Sequence, residues 1–179
     1  MRCLTRLLCV FGLLLSVMSA ESLDETRKKA EAGDAGAQSK LGWMYATGIG
    51  VQQDDTEAVK WYRKAAEQGD ADAQFNLGNK YRYGDGVPKD FAEAAKWFRK
   101  AAYQGKDVAQ LYLGWRYYNG EGVPKDLVQA HVWWNIAGAA GCEYSKKDLA
   151  MVEKEMTPDQ KAEAMKLARE LFAKLPKQK

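Results

Sequence analysis

A chain that repeats itself at a fixed period folds as a stack of like units, and this one repeats three times at 36 residues without an insertion. Ala37-Gln38, Ala73-Gln74 and Ala109-Gln110 recur in register, followed by Leu41-Gly42, Leu77-Gly78 and Leu113-Gly114. Tyr45, Tyr81 and Tyr117 come next, then Gly48-x-Gly50-Val51, Gly84-x-Gly86-Val87 and Gly120-x-Gly122-Val123. The second half of each unit carries Asp54, Asp90, Asp126; Ala58, Ala94, Ala130; Trp61, Trp97, Trp133; Ala65, Ala101, Ala137; and Gly69, Gly105, Gly141. Stacked repeats bury their apolar faces against neighbours, so the chain length is no obstacle to a core.

Each unit reads as two helices. Ala37, Leu41 and Tyr45 fall at i, i+4 and i+8, one stripe of a helix. A glycine inside that helix costs about 1 kcal/mol relative to alanine, so Gly42 predicts close approach of a partner helix. The Gly-x-Gly-Val segment ends the first helix with glycines at positive φ. Pro88 and Pro124 stiffen the second and third loops, where the first has Gln52. Asp54, Asp90 and Asp126 are placed to cap the second helix. Ala58, Trp61, Tyr62, Ala65 and Ala66 give it a wide apolar stripe. Gly69 closes it, and Asp70 caps the helix that follows.

The ends depart from the repeat, as solenoid caps do. Ser22 and Glu25 form a capping-box pattern opening a short charged helix to Ala32. After Gly141 the register weakens: Leu149 keeps it, but Ala150 and Glu153 replace Gly and Tyr. Thr157-Pro158-Asp159-Gln160 is a helix start, and Met165, Ala168, Leu171, Phe172 and Leu175 offer a stripe to seal the array. The expected architecture is all-α, a right-handed α/α solenoid of helix–turn–helix repeats with a C-terminal capping helix. Its parts are a signal peptide (1–20), an N-terminal capping helix (21–34), repeats at 35–69, 70–105 and 106–141, and capping helices with a tail (142–179).

Arg2 and Arg6, the apolar run from Leu7 to Met18 and the small Ser19 and Ala20 follow the order of a secretory signal peptide, with cleavage after Ser19 or Ala20. About a dozen apolar residues fall short of the ~20 a spanning helix needs, so no stable membrane insertion is expected after cleavage. Cys3 and Cys9 lie in that segment, leaving Cys142 alone and stability to packing; burial near a helix junction is its expected place. The apolar share of 46% excludes a disordered chain. The net charge of +3 is spread among interspersed acids and bases, which gives no footprint for nucleic acid.

The pattern A-Q-x-x-L-G-x-x-Y-x-x-G-x-G-V-x-x-D-x-x-x-A-x-x-W-[YFW]-x-x-A-[AG]-x-x-G resembles the Sel-one-like repeat, a relative of the tetratricopeptide repeat, over about Ala35 to Gly141. The resemblance implies an adaptor whose first helices line a concave groove for a protein or peptide. It further implies a bacterial exported type, with the periplasm as compartment. Two other roles come with it: an immunity protein neutralising a secreted toxin, and an envelope enzyme acting on cell-wall or β-lactam substrates. The enzyme belongs to a branch with paired cysteines, which this chain lacks.

Signals for catalysis are weak. His131 is the single histidine, at a position held by Val59 and Ala95 in the other units, and reads as packed or half-exposed. No second histidine or cysteine pair is available for zinc, and no Ser-x-x-Lys occurs, so neither metal nor cofactor is expected and the chain reads as no enzyme. The functional signal left is the side of the first helices not needed for the stripe. It comprises Lys40, Trp43, Met44 and Thr47, then Asn76, Asn79, Lys80 and Tyr83, then Tyr112, Trp115, Arg116 and Asn119. Apart from Thr47 and Asn119, these are the expected partner-binding residues. Trp43 and Trp115 share one offset and suit interface anchors or, equally, fillers leaning on a neighbouring helix. Replacing a core tryptophan of the second helices, Trp97→Ala, is expected to lower unfolding stability by about 3–5 kcal/mol in denaturant titration.

Overall fold

A computed structural model describes residues 23–176; the expected signal peptide and the Ser22 cap lie outside them. All regular structure among the described residues is helical. The elements are α1 (23–31), α2 (Ala35–Thr47), α3 (Asp55–Glu67), α4 (Ala71–Tyr83), α5 (Phe91–Tyr103), α6 (Asp107–Asn119), α7 (Leu127–Ala139), α8 (Tyr144–Val152) and α9 (Pro158–Phe172). Helices pair within repeats as α2–α3, α4–α5 and α6–α7, and between repeats as α3–α4 and α5–α6. The array closes where α8 and α9 both pack on α7.

The pairing depends on the helix glycines. A Cβ built on Gly42 would lie 2.7 Å from the Tyr62 ring, on Gly78 2.7 Å from Phe98, and on Gly114 2.4 Å from the Trp134 indole. Real Cβ contacts do not reach those distances, so the partner ring occupies the space where a side chain would be. The rings in contact are those one residue after the repeated tryptophans. They are the deeper ones: Tyr62, Phe98 and Trp134 are buried throughout, whereas Trp61 is half-buried and Trp97 and Trp133 close up toward the C-terminal end.

The ends of the helices are satisfied in register. Asp54, Asp90 and Asp126 accept amide N–H bonds from the first turns of α3, α5 and α7, and Asp70 caps α4. The backbone N–H of each of the first three also donates to a tyrosine carbonyl across the loop, Tyr45, Tyr81 or Tyr117, each at 2.9 Å. Gly48, Gly84 and Gly120 end the first helices in the left-handed region. Thr157 and Gln160 form a complete capping box at α9.

Two expectations about faces are corrected. Helix α9 packs through Ala164, Leu167, Ala168 and Leu171, with Leu175 just past its end, which leaves Met165 and Phe172 exposed. Small alanines let this helix lie close on α7, and that turns the bulkier residues outward. Met44 lies in the core with Ala30 and Leu41 instead of on the surface.

Gly114→Ala is expected to destabilise by about 1–3 kcal/mol, because the added methyl overlaps the indole. Gly36→Ala, whose Cβ would meet only the Asp34 carboxylate at 3.4 Å, is expected to stabilise by about 0.4–1 kcal/mol. Paired urea titrations check both signs.

Candidate functional site

The exposed sides of α4 and α6 meet α8 and the first residues of α5 around a groove of about 1630 Å³. Helix α6 supplies its floor. Leu111 and Tyr112 sit one turn before Trp115 and Arg116, so the four form a continuous strip. Helix α8 supplies the facing wall with Tyr144, Lys147, Asp148 and Met151. Arg82 and Tyr83 from the end of α4, with Lys89 and Phe91 beyond the loop, complete one end.

Aromatic contacts hold the floor rigid. Tyr112 packs edge-on against Phe75, with ring centroids 5.5 Å apart, and is tilted on Phe98 at 5.5 Å. Trp115 stands edge-on to Trp134 at 5.2 Å and to Tyr118 at 5.8 Å. It therefore leans on the second helix of its own repeat and is a half-buried support of the groove. Burial pushes the Asp148 carboxyl above the ordinary carboxylate range, against the opposing pull of the Trp115 indole and of Lys147.

The remaining predicted residues divide by place. Tyr83, Tyr112, Trp115 and Arg116 come together in the groove, with Asn119 at its edge. Lys40, Trp43, Met44, Asn76, Asn79 and Lys80 do not line it. Trp43 is 44% exposed, Lys40 is exposed, and Asn76 is half-buried. Lys80 is tied up in an ion pair with Asp55 of the preceding repeat, Nζ to Oδ1 2.5 Å. Asn79 Oδ1 is buried without a hydrogen-bond partner among the described residues. Arg116 is 3% exposed, a buried residue in the groove wall and not the free surface cation its position implies.

The residues of α8 escaped the sequence reading because the repeat pattern fades over this helix, where Leu149 keeps the register and Ala150 and Glu153 break it. The one available signal was the loss of register after Gly141, which marks an element free of the repeat's packing duties. His131 is packed against Glu153, with 3.1 Å between Nε2 and Oε1, and takes no part in the groove. Cys142 is buried at its margin. Among the described residues no group of His, Cys, Asp and Glu could hold a metal ion, and no helix is long and apolar enough to cross a membrane.

Comparison with known proteins agrees with the architecture. The model of the Sel1 repeat matches residues 35–70, 71–106 and 107–142. A crystal structure of a Sel1 repeat protein from Oxalobacter formigenes is similar at 43% identity and a TM-score of 0.67, over 72% of this chain and 97% of its own. That of c5321, a protective antigen present in uropathogenic Escherichia coli strains displaying an SLR fold, is similar at 33% identity and a TM-score of 0.67, over 86% of this chain. The chain spans 41% of the length of c5321. No curated protein matches it.

The buried Asp148 has a consequence for stability. A carboxyl whose value is raised on folding binds protons more readily in the folded chain than in the unfolded one, so stability falls as pH rises from the ordinary carboxylate range through the raised one. Asp148→Asn, which keeps the size of the side chain, is expected to remove that fall and to be more stable than wild type at neutral pH. Thermal melts across acid to neutral pH check it.

Proposed function

The chain belongs to the Sel1 repeat family, and on that premise we propose that it is an exported, non-catalytic scaffold that holds an extended segment of a partner protein in the groove between α4, α6 and α8. Sel1 repeat proteins generally act as protein-interaction scaffolds. The observation that carries the choice of face is the groove itself, an aromatic floor on a rigid helix strip opposite a wall of mixed apolar and charged side chains. Rigid aromatic surface gives binding area at little cost in entropy, and Tyr83 and Tyr144 stand more than half exposed at its rims. The signal-like order of residues 1–20 supports delivery to the periplasm.

Panning a displayed peptide library against the protein tests the reading. Wild type is expected to enrich peptides whose binding weakens by roughly tenfold or more in a Tyr83→Ser/Tyr144→Ser variant, since both rings are exposed and their loss leaves the core intact. Trp43→Ser, outside the groove, is expected to bind them as wild type does. Unchanged binding to the double variant with loss in Trp43→Ser would move the interface to the other end of the array.

A further inference from the structure

The three repeats share one backbone plan, so each shows what its neighbours lack. Met44, Lys80 and Arg116 occupy one offset. Met44 is apolar and buried, and needs no partner. Lys80 reaches back across the repeat junction to Asp55, the first residue of α3, and its charge is met there. The residue at the Asp55 offset one repeat later is Phe91. Arg116 therefore reaches toward a ring, with its guanidinium carbon 5.5 Å from the Phe91 centroid, where Lys80 finds a carboxylate.

The cation left by this exchange is incompletely matched. Arg116 Nη1 lies 2.5 Å from Glu121 Oε2 in its own loop, but neither Nη1 nor Nε makes a well-formed hydrogen bond among the described residues. Burial lowers the pKa of its guanidinium, Glu121 opposes that shift, and the like charge of Arg82 adds to it. Arg82 itself rests on Tyr83 and Tyr112, 4.7 and 4.9 Å from the ring centroids, and Lys89 Nζ lies 4.7 Å from the Phe91 centroid. Three cations thus stand on aromatic rings at one end of the groove, with Glu121 as the carboxylate paired there. The other acids of the groove are engaged or distant. Asp148 is buried on α8, Glu143 at the start of that helix lies 4.0 Å from Lys146, and Asp107 begins α6 nine residues before Arg116, about 13 Å along the helix. A guanidinium lining a largely aromatic groove binds a carboxylate strongly, because the bonds between them are charge-assisted.

We infer that this end of the groove, Arg116 with Arg82 beside it, accepts an internal Asp or Glu side chain of the bound peptide. The inference rests on the scaffold reading above and adds the chemistry of the partner: an extended acidic segment whose carboxylate is flanked by apolar residues for Tyr83, Tyr112 and Leu111.

The test uses a library of dodecapeptides with capped ends, made in matched pairs that carry Glu or Gln at one internal position and vary over Leu, Phe, Tyr and Ser around it. Against the full mature protein, Glu members are expected to bind about tenfold more tightly than their Gln partners. Arg116→Met and Phe91→Asp are each expected to abolish the difference, the first by removing the cation and the second by supplying an internal carboxylate. Both variants install residues that the array already carries at the same offsets, Met44 and Asp55, so each is expected to melt as a folded protein. Equal binding of Glu and Gln peptides to wild type overturns the inference and leaves the groove reading standing. A preference that survives both substitutions, or that appears only when a Gln peptide is given a free C-terminal carboxylate, overturns it as well. Binding of no peptide at all overturns the groove reading together with it.

Discussion

Everything in this array is built around three places where a helix backbone is pressed against a ring. Gly42, Gly78 and Gly114 leave no room for a Cβ beneath Tyr62, Phe98 and Trp134. A helix interior resists glycine by about 1 kcal/mol, and the compensation is contact area that no other residue permits at that spacing. The close approach then dictates what surrounds it. Ala58, Ala65, Ala94, Ala101, Ala130 and Ala137 are fully buried because only small side chains fit between helices held so near. The ring grows from tyrosine to phenylalanine to tryptophan along the array without disturbing the plan. At the last site the indole Nε1 donates to the Leu111 carbonyl at 3.1 Å, so its polar atom is satisfied inside the contact.

Neighbouring repeats are joined by a different device, a buried glutamine. Gln38, Gln74 and Gln110 donate to the carbonyls of Ala30, Ala66 and Ala102 at the C-terminal ends of the preceding helices. Each carbonyl also accepts from the backbone N–H of the glycine that closes its helix, Gly33, Gly69 or Gly105, so the glutamine engages its second lone pair and ties the next repeat to that end. The first two glutamines are held in turn by Gln68 and Gln104 through their side-chain oxygens. The register places Ala140 where a third holder would stand, and Gln110 Oε1 has no hydrogen-bond partner among the described residues. The junction chemistry stops there, and α8 and α9 close the apolar face by packing on α7.

The repeat, its helix boundaries, its aspartate caps and the need for close approach at the glycines were legible from spacing alone, because each is a local or strictly periodic demand. Depth within a stripe was not. Trp61 and Tyr62 both belong to an apolar face, and periodicity cannot say which of two adjacent residues turns inward by the last hundred degrees. The same ambiguity hid Met44 in the core and exposed Met165 and Phe172 on α9. The role of the Ala-Gln pair also escaped the pattern, since its partner carbonyl lies in another repeat. Of the groove, the α6 strip was within reach, but its opposite wall depends on where a helix in which the repeat pattern fades comes to rest, which is a tertiary fact.

A periodic fold makes its own departures informative. Positions bound by the glycine contact or the glutamine junction cannot vary without cost, so specificity has to be written at offsets the plan leaves free. At the offset of Met44 the array carries an apolar residue, then a paired cation, then a cation facing a ring. The loop that carries Glu121 runs against the start of α5, where a Cβ on Gly122 would stand 2.0 Å from the Phe91 carbonyl. Arg116 is thus held between a ring and Glu121, an acid of its own loop, on the side of the array that opens to the groove. A cation so placed adds little to the stacking of the repeats, and its charge counts most toward an acid brought from outside.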